Sequence, residues 1–447
     1  MKRNVAWPYT AAPVAVLCAL AVGAVSQTAS PQVLDPADAR ERVRDPRWVI
    51  VDARDPDAFN GWALGGEARG GHVPGAANFA TAWLEQDRKG IRERLTPRGV
   101  LGTRPLLVYG RDTAEGEQAA ALLRRRFRVA PERLHVLRGG FAAWSADPKL
   151  PVDRLARWDR LVPAAWLARA VQENSAVRIY EVGWRKEAEY AKGHVPGAVY
   201  FDSERFEVGP LWSVIPAADL TRALTALGIT SATPTVLYGR DPMPAFRAAV
   251  VLMYAGVRDV RVLNGGLAAW TRHGRALEHG SVRATAARDF GARVPDQPSL
   301  VTGIANARRL LAGPNSVLAD VRSWKEYVGE ITGYADLKQK GRIPGAVWGG
   351  GGSDVSQMEH LRNPDGTVRD YHDIARRWAS AGIVPEKQVG FYCGTGWRAS
   401  EAFYAAWLMG WPYITVYDPG WYEWSADPAN PISRGEPDSE GKRSRSR

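Results

Sequence analysis

The chain has 447 residues, a length that predicts two to four domains. An apolar share of 45% and a charged share of 24% exclude a disordered chain, a collagen-like fibre and a polytopic membrane protein. The net charge is +11, but six cations lie at the two ends, and four of them are in the segment 441–447. The mild excess that remains suits small anionic ligands and predicts no nucleic-acid partner.

The N-terminal segment has the pattern of a secretion signal. Lys2 and Arg3 precede an apolar run, residues 11–25, which is shorter than the roughly 20 residues that a membrane-spanning helix needs. Ala24 and Ser26 are small residues at the positions that a signal peptidase recognises. We therefore predict a signal peptide over residues 1–26, a periplasmic location and no stable membrane insertion after cleavage. An uncleaved N-terminal anchor is the alternative.

The chain has two cysteines, Cys18 and Cys393, which exclude a disulfide framework. Cys18 lies in the predicted signal peptide, so the mature protein would keep one thiol. The histidines and cysteines show no metal-ligand spacing, and no Gly-Lys-Ser/Thr phosphate loop is present. The sequence therefore predicts neither a metal nor any other cofactor.

One pattern occurs three times along the chain. Each copy has an apolar strand that ends in an acid, a Gly-x-x-Pro-Gly-Ala turn, a second apolar strand that ends at a tight loop, and a terminal Gly-x-x-x-Trp segment. Strands alternate with helical stretches and are apolar throughout, as a parallel sheet covered by helices on both faces requires. We predict three tandem α/β domains, 33–152, 158–280 and 299–435, followed by a basic flexible tail, 436–447.

The third copy is the longest. Its first acid and its loop residue are 73 positions apart, against 58 in the other two copies. The extra residues fall around 330–340 and 349–352. Insertions of this kind are tolerated in loops and often contribute to function.

The turns Gly71–Ala76 and Gly193–Ala198, the loop after each second strand and the Gly-Gly-x-x-x-Trp segments resemble the rhodanese family of sulfurtransferases. The resemblance covers nearly all of residues 33–432. It implies a parallel α/β fold for each copy and an enzyme that carries sulfur as a cysteine persulfide. The implied partners are a small sulfur donor and a cyanide or thiol acceptor.

Cys393 is the predicted nucleophile and persulfide carrier. Gly394, Thr395 and Gly396 can curl so that successive backbone N–H groups point inward, and a following helix N-terminus also favours a thiolate. Arg398 adds a positive charge that can bind the sulfonate end of thiosulfate or help to hold the anion. Trp397 either walls the pocket or packs between domains. The alternative for Cys393 is a small buried apolar residue.

The resemblance leaves the donor open between thiosulfate and 3-mercaptopyruvate. Four residues separate Cys393 from Arg398, one fewer than in the phosphatase relatives, so phosphatase activity is not expected. Glu326 stands where two-domain thiosulfate enzymes have an arginine. Three residues of the inserted loop either supply that missing charge or form a solvated loop: Lys338, Lys340 and Arg342. Arg322 is expected to pair with a buried carboxylate.

Copies one and two have Gly110 and Gly239 where copy three has Cys393. Glycine has no nucleophile, so both domains are predicted to be inactive. They would cover the third domain's site, with docking of a protein sulfur acceptor as a further role. His72 and His194 repeat within the Pro-Gly turn and are predicted to be structural. A third interpretation of the whole chain is a scaffold that carries a persulfide to a partner protein.

Overall fold

The computed structural model describes residues 31–86 and 88–437. The predicted signal peptide and residues 438–447 of the predicted tail lie outside the described residues. In the part that is described, no helix is long and apolar enough to span a bilayer.

The first domain begins at β1 and ends with α6. Its strands are β1 (Gln32–Leu34), β2 (Val49–Asp52), β3 (Ala77–Asn78), β4 (Leu106–Tyr109) and β5 (Leu134–Leu137). Its helices are α1 (Pro36–Arg44), α2 (Pro56–Asn60), α3 (Thr81–Gln86), α4 (Arg88–Leu95), α5 (Thr113–Phe127) and α6 (Gly140–Ala146). A short 3₁₀ helix, Pro131–Arg133, precedes β5.

The second domain adds a small two-stranded ribbon to the same plan. Its strands are β6 (Leu161–Val162), β7 (Arg178–Gly183), β8 (Val199–Asp202), β9 (Glu207–Val208), β10 (Ser213–Val214), β11 (Thr235–Tyr238) and β12 (Val260–Leu263). Its helices are α7 (Ala164–Gln172), α8 (Glu187–Ala191), α9 (Ala217–Ala226), α10 (Pro242–Ala255) and α11 (Gly266–Arg272), with 3₁₀ turns at Trp158–Arg160 and Ser203–Arg205.

The third domain repeats the plan with longer connections around β15. Its strands are β13 (Val301–Thr302), β14 (Ser316–Asp320), β15 (Val347–Trp348), β16 (Gln388–Tyr392) and β17 (Ile414–Tyr417). Its helices are α12 (Ile304–Ala312), α13 (Trp324–Val328), α14 (Tyr371–Ser380), α15 (Trp397–Leu408) and α16 (Gly420–Ala426).

Each domain contains a five-stranded parallel sheet with one strand order, β1-β5-β4-β2-β3 in the first domain and its equivalents in the others. Alternate residues of a strand face opposite cores. Val49 and Val51 belong to one apolar cluster and Ile50 to another. This burial on both faces explains the continuous apolar strands in the sequence and confirms the predicted α/β class.

The acid in the first strand of each repeated pattern has a structural role; these strands are β2, β7 and β14. Tyr109 Oη donates a 2.7 Å hydrogen bond to Asp52, and it accepts one of 3.0 Å from the backbone N–H of Val73 in the Pro-Gly turn. Tyr238 and Tyr392 bridge strand and turn in the same way in the other domains. In the third domain Arg322 forms a bidentate pair with Asp320, which confirms its predicted buried partner.

The second and third domains share one continuous core. Helices α10 and α15 pack against each other, and the apolar cluster around them includes residues of both sheets. Tyr404 of α15 donates a 3.0 Å hydrogen bond to the carbonyl of Arg160. The first domain contacts the third through Trp83, whose Nε1 donates to Asp365, and through Arg98, which pairs with Asp370. Both the first and the second domain therefore pack against the third domain.

Candidate active site

Cys393 directly follows β16, which lies between β14 and β17 within the third sheet. Its side chain is fully buried. Ligands of open α/β sheets bind beyond the carboxyl ends of the strands, which is the end where Cys393 stands. The strand order therefore places the predicted nucleophile where this fold class builds its sites.

The backbone of the loop is oriented by α16. The carbonyl of Cys393 accepts a 2.8 Å hydrogen bond from the N–H of Trp421, and that of Gly394 accepts one of 3.2 Å from Tyr422. Within the described ranges, no backbone N–H of residues 394–398 donates a hydrogen bond. With the carbonyls held by α16, these N–H groups are free to stabilise negative charge beside Cys393.

Two of the loop glycines are required by their surroundings. A Cβ on Gly394 would overlap the ring of Tyr334, which packs directly over the loop. Gly396 has φ of +84°, a left-handed conformation that favours glycine, and it caps the N-terminus of α15. The Gly-Thr-Gly sequence therefore allows both the tight curl of the loop and the close approach of Tyr334.

Arg398 is buried and already has a partner. Its two terminal nitrogens each donate a 2.8 Å hydrogen bond to Glu326, and Nη2 also lies 3.1 Å from the hydroxyl of Tyr334. Burial raises the pKa of Glu326, but the guanidinium of Arg398 more than offsets this and lowers the value to about 2. The charge of Arg398 thus compensates Glu326, and its predicted sulfonate-binding role remains a prediction.

A cavity of about 360 Å³ opens beside the loop. Aromatic side chains dominate its walls, and both the second and third domains contribute. The lining residues are Trp184, Trp212, Met243, Tyr334, Asp336, Val355, Thr395, Trp397, Arg398 and Tyr422. Trp397 lines the cavity, and its Nε1 donates a 2.7 Å hydrogen bond to Glu207 of the second domain.

The inserted loop contributes Tyr334 and Asp336 to the cavity, whereas Lys338, Lys340 and Arg342 do not line it. Burial raises the pKa of Tyr334 to about 12, so its hydroxyl stays protonated at neutral pH. Asp336 accepts a 2.5 Å hydrogen bond from Tyr422. Sequence reasoning located the insertion but missed these residues, and the only signal for them was the length of the insertion.

The space beside the equivalent loop residue is filled in both of the other domains, by a side chain in the first and by backbone atoms in the second. In the first, the N–H of Arg111 donates a 2.7 Å hydrogen bond to the carboxylate of Glu115, and a Cβ on Gly110 would overlap that side chain. In the second, a Cβ on Gly239 would overlap the carbonyl of Asp241. Neither loop has space for a cysteine side chain that carries a second sulfur.

We therefore expect Gly110→Cys and Gly239→Cys, each in a Cys393→Ser background, to show no sulfur transfer. The new thiol would clash with Glu115 or with the Asp241 carbonyl, and Asp112 or Asp241 would repel a thiolate. The measurement is cyanide-dependent thiocyanate release. Turnover close to that of the unmodified protein would show that these loops are complete sites that lack only sulfur.

Comparison with known proteins agrees with this geometry. The family model described as Rhodanese-like domain matches three times, at residues 35–147, 163–273 and 304–427. The chain is 36% identical to thiosulfate sulfurtransferase YnjE of Escherichia coli (strain K12) across 96% of this chain and 98% of that protein. It is 29% identical to the sulfur carrier protein TtuD of Thermus thermophilus, across 62% of this chain and 97% of that protein.

A solved structure is similar along nearly the whole chain. It is the anaerobic ergothioneine biosynthesis enzyme from Chlorobium limicola in complex with its natural substrate, trimethyl histidine. The sequences are 36% identical, the TM-score is 0.85, and the match covers 91% of this chain and all of that one. With three matching domains and a buried cysteine loop at the carboxyl end of a central strand, the chain belongs to the rhodanese family and is a sulfurtransferase.

Proposed function

We propose that the protein takes a sulfane sulfur from thiosulfate onto Cys393 and passes it to cyanide or a thiol. The thiolate attacks the outer sulfur of thiosulfate, the S–S bond of the donor breaks, and sulfite leaves with the electron pair. Cys393 is left as a persulfide. A cyanide ion then attacks the outer sulfur, which gives thiocyanate and restores the thiolate.

The observation that carries this proposal is the row of unpaired N–H groups over residues 394–398. The thiolate, the persulfide and thiosulfate are all anionic. Each is stabilised by N–H groups that are already in place and need no reorganisation when charge develops. Burial of Cys393 keeps water from the electrophilic outer sulfur. The likeness to a thiosulfate sulfurtransferase over almost its full length supports this choice of donor.

The donor is tested by mass spectrometry of the purified protein. After incubation with thiosulfate, we expect one added sulfur atom on the peptide that contains Cys393, and cyanide should remove it. A parallel incubation tests 3-mercaptopyruvate as the alternative sulfur donor. One similar protein is named 3-mercaptopyruvate sulfurtransferase, in Escherichia coli. Faster loading by 3-mercaptopyruvate would contradict the thiosulfate assignment.

A second candidate acceptor is a histidine whose amino group carries three methyl groups. A quaternary ammonium binds well among aromatic faces, and this cavity has five aromatic residues in its walls. Asp336 adds a negative charge there, while the charge of Arg398 is matched by Glu326. The cavity therefore favours a cationic group over an anionic one once Cys393 holds its sulfur.

Residue spacing supports the same candidate. Solved structures of EanB with hercynine or ergothioneine include variants of a tyrosine 59 positions before its persulfide cysteine and of a threonine two positions after it. Tyr334 and Thr395 stand at the same spacings from Cys393, and both line the cavity. In this reaction the outer persulfide sulfur would replace a ring hydrogen, and the thiol of Cys393 would be regenerated with that proton.

This candidate is tested by adding trimethyl histidine to protein preloaded with sulfur. We expect ergothioneine by mass spectrometry, and calorimetric binding of trimethyl histidine that unmethylated histidine does not show. Trp212→Ala should weaken binding about tenfold, the order of 1–2 kcal/mol for a cation–aromatic contact. Tyr413→Ala is the control, because that ring is 61% exposed and does not line the cavity. If the protein turns over thiosulfate but does not bind trimethyl histidine, cyanide or a thiol is left as the acceptor.

We further propose that the segment 1–26 exports the chain to the periplasm and that a protein thiol is one of its sulfur acceptors there. The charged start, the short apolar run and the small residues around 24–26 support export. Fractionation of cells with mass spectrometry of the N-terminus tests the proposal. A full-length chain in the cytoplasmic fraction would contradict it.

A further inference from the structure

Two histidines and a carboxylate from three different parts of the chain converge at the contact between the first and third domains. His72 comes from the Pro-Gly turn of the first domain, Asp153 from the linker that follows that domain, and His372 from the first turn of α14. One ligand atom from each lies within 4.8 Å of the others. His372 Nε2 is 3.6 Å and His72 Nε2 is 3.9 Å from Asp153 Oδ2.

His72 is prepared as a ligand. Its Nδ1 lies 2.8 Å from the carbonyl of Phe59, and because a carbonyl only accepts, Nδ1 carries the proton. The lone pair is then on Nε2. That atom is fully buried, has no hydrogen-bond partner and faces Asp153 and His372. A buried acceptor without a partner is costly, unless another group fills the space beside it.

The other two ligands are also held in place. His372 Nδ1 lies 3.2 Å from Asp370, which fixes the ring so that Nε2 points to the group. Asp153 is tied to His72 by a pair of backbone hydrogen bonds of 2.8 and 2.9 Å. A hydrogen bond on the distal nitrogen is the usual support of a metal-binding histidine. The carboxylate of Asp153 is 45% exposed, so an ion can enter and keep a water ligand.

We propose that His72 Nε2, Asp153 Oδ2 and His372 Nε2 bind one divalent transition-metal ion, with zinc the best fit to two imidazoles and a carboxylate. Zinc bonds of about 2.0–2.2 Å place tetrahedral ligand atoms roughly 3.3 Å apart. The three ligand atoms lie within 4.8 Å of one another, so the ion would have to draw them closer together as it binds. The ion would link the first domain, its linker and the third domain. This site is separate from Cys393 and independent of the proposed reaction.

The second domain provides an internal control. His194 occupies the turn position of His72, its Nδ1 lies 3.1 Å from the carbonyl of Tyr190, and its Nε2 is 3.8 Å from Glu278. His194 Nε2 also has no hydrogen-bond partner. Among the described residues, however, no third histidine, cysteine or carboxylate completes this pair as a three-ligand group. The second domain therefore has an equivalent turn, histidine and acid, but not the three ligands of the proposed metal site.

The test is calorimetric titration of zinc chloride into untagged, chelator-treated protein in a Cys393→Ser background, which removes the thiol as a competing ligand. We expect one zinc per chain and a melting temperature that rises by a few degrees with zinc. His372→Gln and Asp153→Asn should each weaken zinc binding about 10- to 100-fold, whereas His194→Gln should not. The proposal would be overturned if the protein with all three ligands bound no zinc. It would also be overturned if Asp153→Asn bound zinc as tightly as that protein. An equal loss in His194→Gln would overturn it as well.

Discussion

Replacement of Cys393 by serine should lower thiosulfate:cyanide sulfur transfer at least about a thousandfold, to the limit of detection. A serine oxygen cannot form a persulfide, and the described residues offer no second thiol. The measurement is thiocyanate release under saturating thiosulfate. Residual turnover of about one part in a hundred would remove Cys393 from the mechanism.

The control for this prediction is the fold. A buried hydroxyl without a partner costs roughly 1–3 kcal/mol, so Cys393→Ser is paired with Cys393→Ala, which introduces no polar atom. Both variants should keep the circular dichroism spectrum of the unmodified protein. They should also unfold with the same cooperativity as that protein. Loss of activity in both, with structure retained, assigns the effect to the missing sulfur.

Replacement of Arg398 by methionine should lower both stability and activity. Glu326 would be left as a buried carboxylate without its cation, and removal of one partner of a buried pair costs about 3–5 kcal/mol. Tyr334 and the loop would lose the group that holds them, so we expect a ten- to hundredfold fall in kcat/KM. Urea unfolding and thiocyanate release measure the two effects.

The double variant Glu326→Gln/Arg398→Met separates these contributions. It removes both buried charges, so it should recover most of the lost stability but little of the activity. Recovery of activity as well would mean that Arg398 only neutralises Glu326. The pair Arg138 and Asp35 provides a control, because both side chains are more than half exposed and its loss should cost less than about 1 kcal/mol.

The pair of Glu326 and Arg398 also predicts how stability depends on pH. The pKa of Glu326 is lowered to about 2 in the folded protein from the ordinary value of 4.5 for a glutamate. A lowered carboxyl pKa contributes stability that is present above about pH 4.5 and is lost as pH falls towards 2. The difference in free energy of unfolding between the unmodified protein and Glu326→Gln should therefore be largest near neutral pH and shrink below pH 4. A constant difference across this range would contradict the pairing.

The features that the sequence determined are local or repeated. The three apolar strand pairs, the Pro-Gly turns and the Gly-x-Gly after Cys393 each depend on neighbouring residues, so their spacing predicted the α/β class and the loop. The pairing of Arg322 was predicted for the same reason, because Asp320 is two residues away at the end of one strand. Repetition strengthened the prediction of the fold, because the strands and the Pro-Gly turns occur in all three copies.

The features that only the tertiary structure decided depend on residues far apart in the chain. Trp184 and Trp212 of the second domain meet Tyr334 of the third across the cavity, and no local pattern marks such a contact. Glu326, read as a missing arginine, proved to be the partner of Arg398, 72 positions away. The convergence of His72 and His372 also needs the domains to be packed together, because a ligand set from separate elements has no sequence spacing.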